Sequence, residues 1–438
     1  MRLLRREDNP PTSQTRRGCL HHDVGFSLGE SLDPVSSFDL LIATDRPSAS
    51  MRLSFWLLLA PLATAWVVPT PSRTSTRLYS AVEEKVLAPE FQAAYQMAKD
   101  KVEASIPEEM KTAYLPLLTH FMEEYLKASQ DAFLDGNEHC DPASAAKRFL
   151  TGIAYGQQFG MGPNKVKFDV TNTAMRGNPE TENGNTIDFY EFGCAFFRSV
   201  MDLKQSVVLG EENIAKINAQ LDAGENVVLF ANHQSEADPQ VVSCCMELVE
   251  QPRLAEDMVY VAGHKVTTDP LAIPFSMGRN LLCIHSKKHI DADPDLKPMR
   301  QKQNLKAMSQ LLNKFKAGGA IVWIAPSGGR DRRDLSTGKV PIAPFDSKTI
   351  DMFRLMGNKS KVPTHYYTLA MVSYDLCPPP DFVDPGVGEQ RNVRYVPVGI
   401  AVGKEVESVG GLEARHDFCD HAMAQCQADY EQLLERLS

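Results

Sequence analysis

The chain reads VVLFANHQSEADP from Val227 to Pro239. The apolar run at its start is typical of a buried strand, and Pro239 opens a segment with helical spacing that continues to Glu250. The polar residues between strand and helix include His233 and Asp238. Because positions five apart do not share a helix face, we expect the pair at the strand-to-helix turn, with the loop folding Asp238 back towards His233.

Outward from this stretch, helix-like and strand-like segments alternate along the chain. This alternation predicts an α/β fold with a central mixed, partly parallel sheet flanked by helices, in which the loops at the strand ends build the site. The segments that carry the prediction are residues 190–203, 227–230, 239–250, 258–262, 281–284, 299–316 and 321–324.

A histidine beside a carboxylate is suited to acyl transfer. The imidazole can take a proton from a hydroxyl if an acid holds its other nitrogen and stabilises the imidazolium that forms. A second His-x4-Asp pair, His264 and Asp269, also follows an apolar run. Spacing alone favours His233 only slightly, and a loop histidine that caps a helix is the alternative for both.

Two cationic turns follow other strand-like segments. The chain is acidic overall, with 46 basic against 56 acidic residues and a net charge of -10, so these clusters do not indicate a nucleic-acid surface. Positive charge on short turns, with glycines that let the backbone approach an anion, indicates phosphate binding, and solvated loop charges are the alternative. The clusters are Lys287, Lys288 and His289, and Arg330, Arg332 and Arg333 beside Gly328 and Gly329.

Three blocks in order resemble the glycerolipid acyltransferases, and specifically the soluble plastid glycerol-3-phosphate acyltransferases. They are residues 232–239, 274–289 and 324–332, within a similarity that covers roughly residues 90–438. Ser327 stands where membrane-bound lysophosphatidate acyltransferases usually carry glutamate, which favours the soluble branch. Thr368 is a departure, since the family often has proline there.

The resemblance implies transfer of a fatty acyl group to the sn-1 hydroxyl of glycerol 3-phosphate, giving 1-acyl-sn-glycerol 3-phosphate. The donor would be an acyl carrier protein or coenzyme A thioester, with no cofactor and no metal. His233 would act as the base and Asp238 would orient it, while Lys288, His289, Arg330 and Arg332 would bind the phosphate. The alternatives are a lysophosphatidate acyltransferase and a catalytically silent lipid- or anion-binding relative.

The body of the chain divides into two predicted domains. Residues 81–165 show three proline-initiated helical segments and form a helical bundle domain, and residues 183–438 form the α/β acyltransferase domain. Nine cysteines without metal-ligand spacing indicate buried thiols in a reducing compartment. The body contains no apolar segment long enough to span a bilayer, which leaves peripheral membrane contact open.

The amino-terminal region predicts plastid targeting. Residues 51–65 have the short apolar core and small-residue end of a signal peptide, and residues 66–80 contain basic and hydroxyl residues without acids. With Trp66 after the cleavage point, residues 51–80 resemble the bipartite targeting sequence of complex plastids, which implies a location in the stroma. An ordinary secretory protein is the alternative, although free thiols fit secretion poorly. Residues 1–50 lie upstream of this signal, so we expect Met51 to be the real start.

This targeting prediction can be tested in a suitable algal host. A fluorescent reporter fused to residues 51–80 should enter the plastid, and Trp66→Ala should stall it in an earlier compartment. Adding residues 1–50 should change neither result. Secretion of the unmodified fusion into the medium would rule out the plastid interpretation.

Overall fold

The computed structural model describes residues 86–160, 176–180, 186–267, 269–286, 290–291, 293–379, 390–407 and 414–438. The targeting region and the cationic residues 287–289 lie outside these ranges. All the cysteines in the described ranges are free thiols. None of the described helices combines the length and hydropathy needed to cross a bilayer.

Three helices make up the amino-terminal part: α1 (Pro89–Ser105), α2 (Glu108–Leu134) and α3 (Pro142–Tyr155). Proline opens α1 and α3, where its missing N–H costs nothing, and the Asp141 side chain caps α3 by accepting from the N–H groups of Ala143 and Ser144. All three predicted helical segments are present.

A short antiparallel pair follows, formed by β1 (Arg176–Glu180) and β2 (Thr186–Asp188). The strand β1 lies in the interval between the two predicted domains, which end at residue 165 and begin at residue 183. Helix α4 (Phe189–Arg198) follows directly, with the Asp188 side chain as its cap.

The main sheet has seven strands in the order β3-β9-β8-β4-β7-β5-β6. All neighbouring pairs are parallel except β8 and β9, which are antiparallel. The prediction of a mixed, partly parallel sheet is therefore confirmed. The strands are β3 (Val207–Leu209), β4 (Asn226–Ala231), β5 (Val259–Gly263), β6 (Asn280–Ile284), β7 (Ile321–Ile324), β8 (Thr364–Val372) and β9 (Gly399–Glu405).

Helices cover the sheet, and a continuous apolar core joins it to three of them. Val228 and Phe230 of β4 belong to this core with Leu311, Phe353 and Phe418, one from each of the three helices. The helices are α5 (Glu211–Asp222), α6 (Asp238–Leu248), α7 (Pro252–Asp257), α8 (Ile273–Met277), α9 (Lys297–Ala317), α10 (Ser347–Ser360) and α11 (Arg415–Leu437), of which α9, α10 and α11 share the core.

The amino-terminal helices pack against α4. The Tyr125 ring stacks on Phe196 with centroids 4.2 Å apart, and the buried Tyr125 hydroxyl meets the Ser199 hydroxyl at 2.9 Å. The described residues lie in one compact unit. The division into a domain of residues 81–165 and one of residues 183–438 stays a prediction.

Strand β4 is central to the sheet, with β7 on one side and β8 on the other. Because β4, β7 and β8 run parallel, their carboxyl ends meet at one edge of the sheet. His233 follows β4, and Arg330 follows β7. The topology thus brings together two of the sequence-predicted motifs.

Candidate active site

His233 and Asp238 are in contact at the turn between β4 and α6. The His233 Nδ1 atom lies 2.7 Å from Asp238 Oδ2, and Asp238 is the first residue of α6. The Asp238 side chain is buried, while the His233 side chain is 26% exposed. Since Asp238 holds Nδ1, the other ring nitrogen, Nε2, is left to exchange a proton with a substrate.

Four further hydrogen bonds hold the Asp238 carboxylate. Oδ2 also accepts from the Gln234 N–H at 2.8 Å, and Oδ1 accepts from the N–H and hydroxyl of Ser235 and from the Ser373 hydroxyl at 2.6 Å. Burial alone would raise the pKa of Asp238, but the hydrogen bonds from His233, Ser373 and Gln234 lower it below its usual value. The carboxylate is therefore ionised and fixed in place.

The residues on either side of His233 bind to the end of β8. The Asn232 amide pairs with the backbone of Met371, accepting from its N–H at 2.7 Å and donating to its carbonyl at 3.0 Å. Gln234 Oε1 accepts from the N–H groups of Ser373 and Tyr374. These buried amides fix the backbone on both sides of the histidine.

The arginine loop after β7 is joined to the same turn. The Asp331 N–H donates to the His233 carbonyl at 2.6 Å, and the Asp331 carboxylate accepts from Asn232 at 3.0 Å. Burial raises the pKa of Asp331 to about 6, although the hydrogen bonds that its carboxylate accepts from the Ala343 N–H and from Asn232 lower it. Arg330 reaches Glu236 with an N–O distance of 3.6 Å, and Arg332 is exposed to solvent.

Arg391 is a residue of this site that the sequence analysis missed. Its buried guanidinium binds Glu236 at 2.9 Å and Asp269 at 2.7 Å. The Glu236 side chain is 34% exposed. Partial desolvation would raise its pKa, but the charges of Arg391 and Arg330 hold it at about 2. Glu236 is thus a fixed anion between two arginines.

The second His-x4-Asp pair is arranged differently from the first. Both carboxylate oxygens of Asp269 are taken, one by Arg391 and the other by the N–H of Leu271 at 3.0 Å. The Nδ1 atom of His264 lies 3.2 Å from the Thr267 hydroxyl, and its ring stacks on His285 with centroids 4.3 Å apart. Asp269 therefore serves as a structural anion.

Two of the predicted phosphate ligands, Lys288 and His289, lie outside the described residues. Within the described ranges, no group of three or more histidine, cysteine, aspartate or glutamate side chains is arranged to hold a metal ion.

Against the sheet, the His233 ring packs edge-on to Trp323, with centroids 5.5 Å apart. The Trp323 indole therefore provides an apolar surface beside the imidazole.

Part of the chain matches a known protein family. Residues 205–371, which contain the His233 turn and the arginine loop, match the acyltransferase family model.

Similarity to individual proteins is more specific. The chain is 41% identical over 219 residues to the chloroplastic glycerol-3-phosphate acyltransferase of Arabidopsis thaliana, covering 50% of this chain and 48% of that protein. It is 40% identical over 219 residues to the chloroplastic enzyme of Pisum sativum, with the same coverage. The chain thus spans about half the length of the curated relatives it matches. Over this half it is similar to the chloroplastic glycerol-3-phosphate acyltransferases.

Among solved structures, the 1-acyl-sn-glycerophosphate acyltransferase of Thermotoga maritima aligns at 16% identity and a TM-score of 0.32. The alignment covers 55% of this chain and 77% of that one.

The charge on Glu236 predicts a pH dependence of stability. Its folded pKa of about 2 lies below the ordinary value of 4.5, so its stabilising effect is complete above about pH 4.5 and is lost as the pH falls towards 2. We therefore expect Glu236→Gln to have a lower free energy of unfolding than the wild type at pH 5. This gap between the two proteins should shrink as the pH falls towards 2. Urea titrations at each pH measure this difference.

Glu435→Gln, which changes an exposed glutamate in α11, is the matched control. Its gap from the wild type should be smaller at pH 5 and should change little between pH 5 and pH 2. A Glu236→Gln gap that stayed constant from pH 5 to pH 2 would contradict the arginine–glutamate arrangement.

Proposed function

We propose that the protein is a glycerol-3-phosphate 1-O-acyltransferase. One observation carries the proposal: the turn that pairs His233 with Asp238 is hydrogen-bonded through its His233 carbonyl to Asp331, between Arg330 and Arg332. A base for the hydroxyl and cations for the phosphate thus sit on neighbouring turns. The similarity to the chloroplastic enzymes supports the same substrate.

In the proposed reaction, His233 Nε2 removes the proton of the sn-1 hydroxyl as the oxygen attacks the thioester carbonyl. A carbon–oxygen bond forms, the tetrahedral intermediate collapses, and the carbon–sulfur bond breaks. The imidazolium returns its proton to the departing thiolate. Asp238 keeps the proton of Nδ1 in place and stabilises the imidazolium, so the dyad ends each turnover as it began.

The substrate phosphate would be bound by Arg330 and Arg332, together with Lys288 and His289. Its charge does not change during acyl transfer, so these residues contribute mainly by binding the acceptor and by aligning the hydroxyl with the thioester carbon. Glu236 holds Arg330 in position before the phosphate arrives.

The second candidate function is a lysophosphatidate acyltransferase, which would use the same dyad with a larger acceptor. Ser327, in place of the usual glutamate of that class, speaks against it. A catalytically silent lipid- or anion-binding relative is disfavoured because both His233 and Asp238 are present and in contact.

The relatives are named as chloroplastic proteins, which supports a plastid location for this chain. We propose the stroma, reached through the bipartite targeting sequence of residues 51–80. Acyl carrier protein or coenzyme A would carry the donor acyl group, and peripheral contact with a membrane stays open.

The dyad is tested by comparing two histidine variants. Purified wild-type protein should acylate glycerol 3-phosphate in preference to lysophosphatidate, and His233→Ala should lower turnover by roughly 10²- to 10⁴-fold because proton removal is lost. Asp238→Asn should have a similar but smaller effect. Acyl transfer is followed with both carrier and coenzyme A thioesters.

His264→Ala is the matched control, since it removes the histidine of the other His-x4-Asp pair. It should keep near-normal turnover. A strong loss in His264→Ala, with activity kept in His233→Ala, would reverse the assignment.

The role of Arg330 is tested through the Michaelis constants. Charge-assisted hydrogen bonds are worth about 1.5 to 3 kcal/mol. Arg330→Ala should therefore raise the Michaelis constant for glycerol 3-phosphate by roughly 10- to 150-fold. The constant for the thioester should move much less, and turnover should fall less than in His233→Ala. A change confined to the thioester constant would place the arginine loop at the donor.

A further inference from the structure

The helix α9 differs in charge from the rest of the protein. Over its 21 residues it carries six basic side chains and no acidic one, in a chain whose net charge is -10. Charge segregated in this way creates a local positive potential that attracts an acidic partner and orients it on approach. The six are Lys297, Arg300, Lys302, Lys306, Lys314 and Lys316.

One part of α9 combines these charges with exposed apolar side chains. Met299, Lys302, Leu305 and Lys306 are spaced three and four residues apart, so they lie together on one face of the helix. Leu305 is 72% exposed and Met299 is 49% exposed. Among the described residues, neither Lys302 nor Lys306 forms an ion pair. We refer to these four residues as the α9 patch.

The opposite face of α9 packs on the sheet and holds the patch in place. Ala307, Leu311 and Phe315 are buried in the main core. The α9 patch is therefore a fixed surface on the folded protein, with two apolar side chains surrounded by cations. An apolar centre with a polar rim is the usual arrangement of a protein–protein interface, and the charges of the rim favour a partner of opposite charge.

Hydrogen bonds connect α9 to the edge of the sheet that carries the candidate site. Asn304 accepts from the His285 N–H and donates to its carbonyl, both at 2.8 Å, and Gln303 meets the His285 ring at 2.6 Å. His285 follows β6, which lies three strands from β4. At about 4.8 Å per strand, His233 and the end of β6 are roughly 14 Å apart across the sheet.

We propose that the α9 patch is the docking surface for an acidic carrier protein that bears the acyl thioester on an extended prosthetic arm. Lys302 and Lys306 would pair with carboxylates of the carrier, and Met299 and Leu305 would contact its apolar side chains. The arm would then cross the sheet edge to bring the thioester to His233. This inference rests on the proposed function, which requires a thioester donor.

The composition of α9 favours a protein over a membrane as the partner. A helix that lies in a membrane interface needs a continuous apolar face turned to the lipid. The apolar face of α9 is turned to the core, and only Met299 and Leu305 of the patch remain outside.

The test compares donors with and without a carrier protein. In the full-length enzyme, the double variant Lys302→Glu/Lys306→Glu should raise the Michaelis constant for acyl-acyl carrier protein by roughly tenfold, and each single variant should have part of this effect. The constants for acyl coenzyme A and for glycerol 3-phosphate should change by less than about threefold, because neither substrate needs the protein contact. The dependence of the carrier constant on salt should also weaken.

Lys316→Glu is the matched control for the single variants. It makes the same charge change on the same helix, about 15 Å from Lys306 at 1.5 Å per residue, and it should leave the carrier constant near the wild-type value. An equal rise in Lys316→Glu, or no rise in the double variant, would overturn the proposal.

Two further outcomes distinguish the docking proposal from the proposed function and from binding to a membrane. If the wild type were inactive with every thioester, the proposed function would be wrong. Titration of labelled acyl carrier protein against the wild type and the double variant would still test the docking proposal. Equal affinity of the two proteins in that titration would overturn the docking proposal. If the double variant instead lost binding to phosphatidylglycerol vesicles and kept its carrier constant, the patch would be a membrane contact and the docking proposal would be wrong.

Discussion

The buried carboxylate of Asp238 is the constraint on which the candidate site depends. A carboxylate removed from water is stable only if its oxygens are fully hydrogen-bonded, and here they bind the His233 ring, the turn that follows β4 and the Ser373 hydroxyl beyond β8. These contacts join one strand, the next helix and a second strand. The position of the imidazole is therefore set by the packing of the sheet as well as by the turn.

Much of this arrangement follows from local sequence. An apolar strand followed by a polar turn and a proline predicted where β4 ends and α6 begins, and the spacing required the loop to fold Asp238 back towards His233. The parallel strands then accounted for the closeness of the arginine loop. The same signals, however, occur around His264 and Asp269, so spacing alone could not separate the two pairs.

The contacts that do separate them come from distant parts of the chain. Ser373 reaches Asp238 across 135 positions, and Arg391 reaches Glu236 across 155 and Asp269 across 122. Neither residue belongs to a motif, and an isolated arginine in sequence looks the same whether it is solvated or buried between two carboxylates. The strands β3, β8 and β9 were likewise not predicted as strands, although β8 supplies the backbone groups that Asn232 and Gln234 bind.

The hydrogen bond from Asp331 to the His233 carbonyl has a consequence for selectivity. It joins the turn that carries His233 to the loop that carries Arg330. In the proposed reaction, the separation between the imidazole and the guanidinium would therefore limit the length of the acceptor. An acceptor would fit only if its nucleophilic oxygen and its anionic group were separated by the matching number of bonds. Discrimination among polyol phosphates would then be a matter of length more than of shape, and it would be independent of the acyl chain.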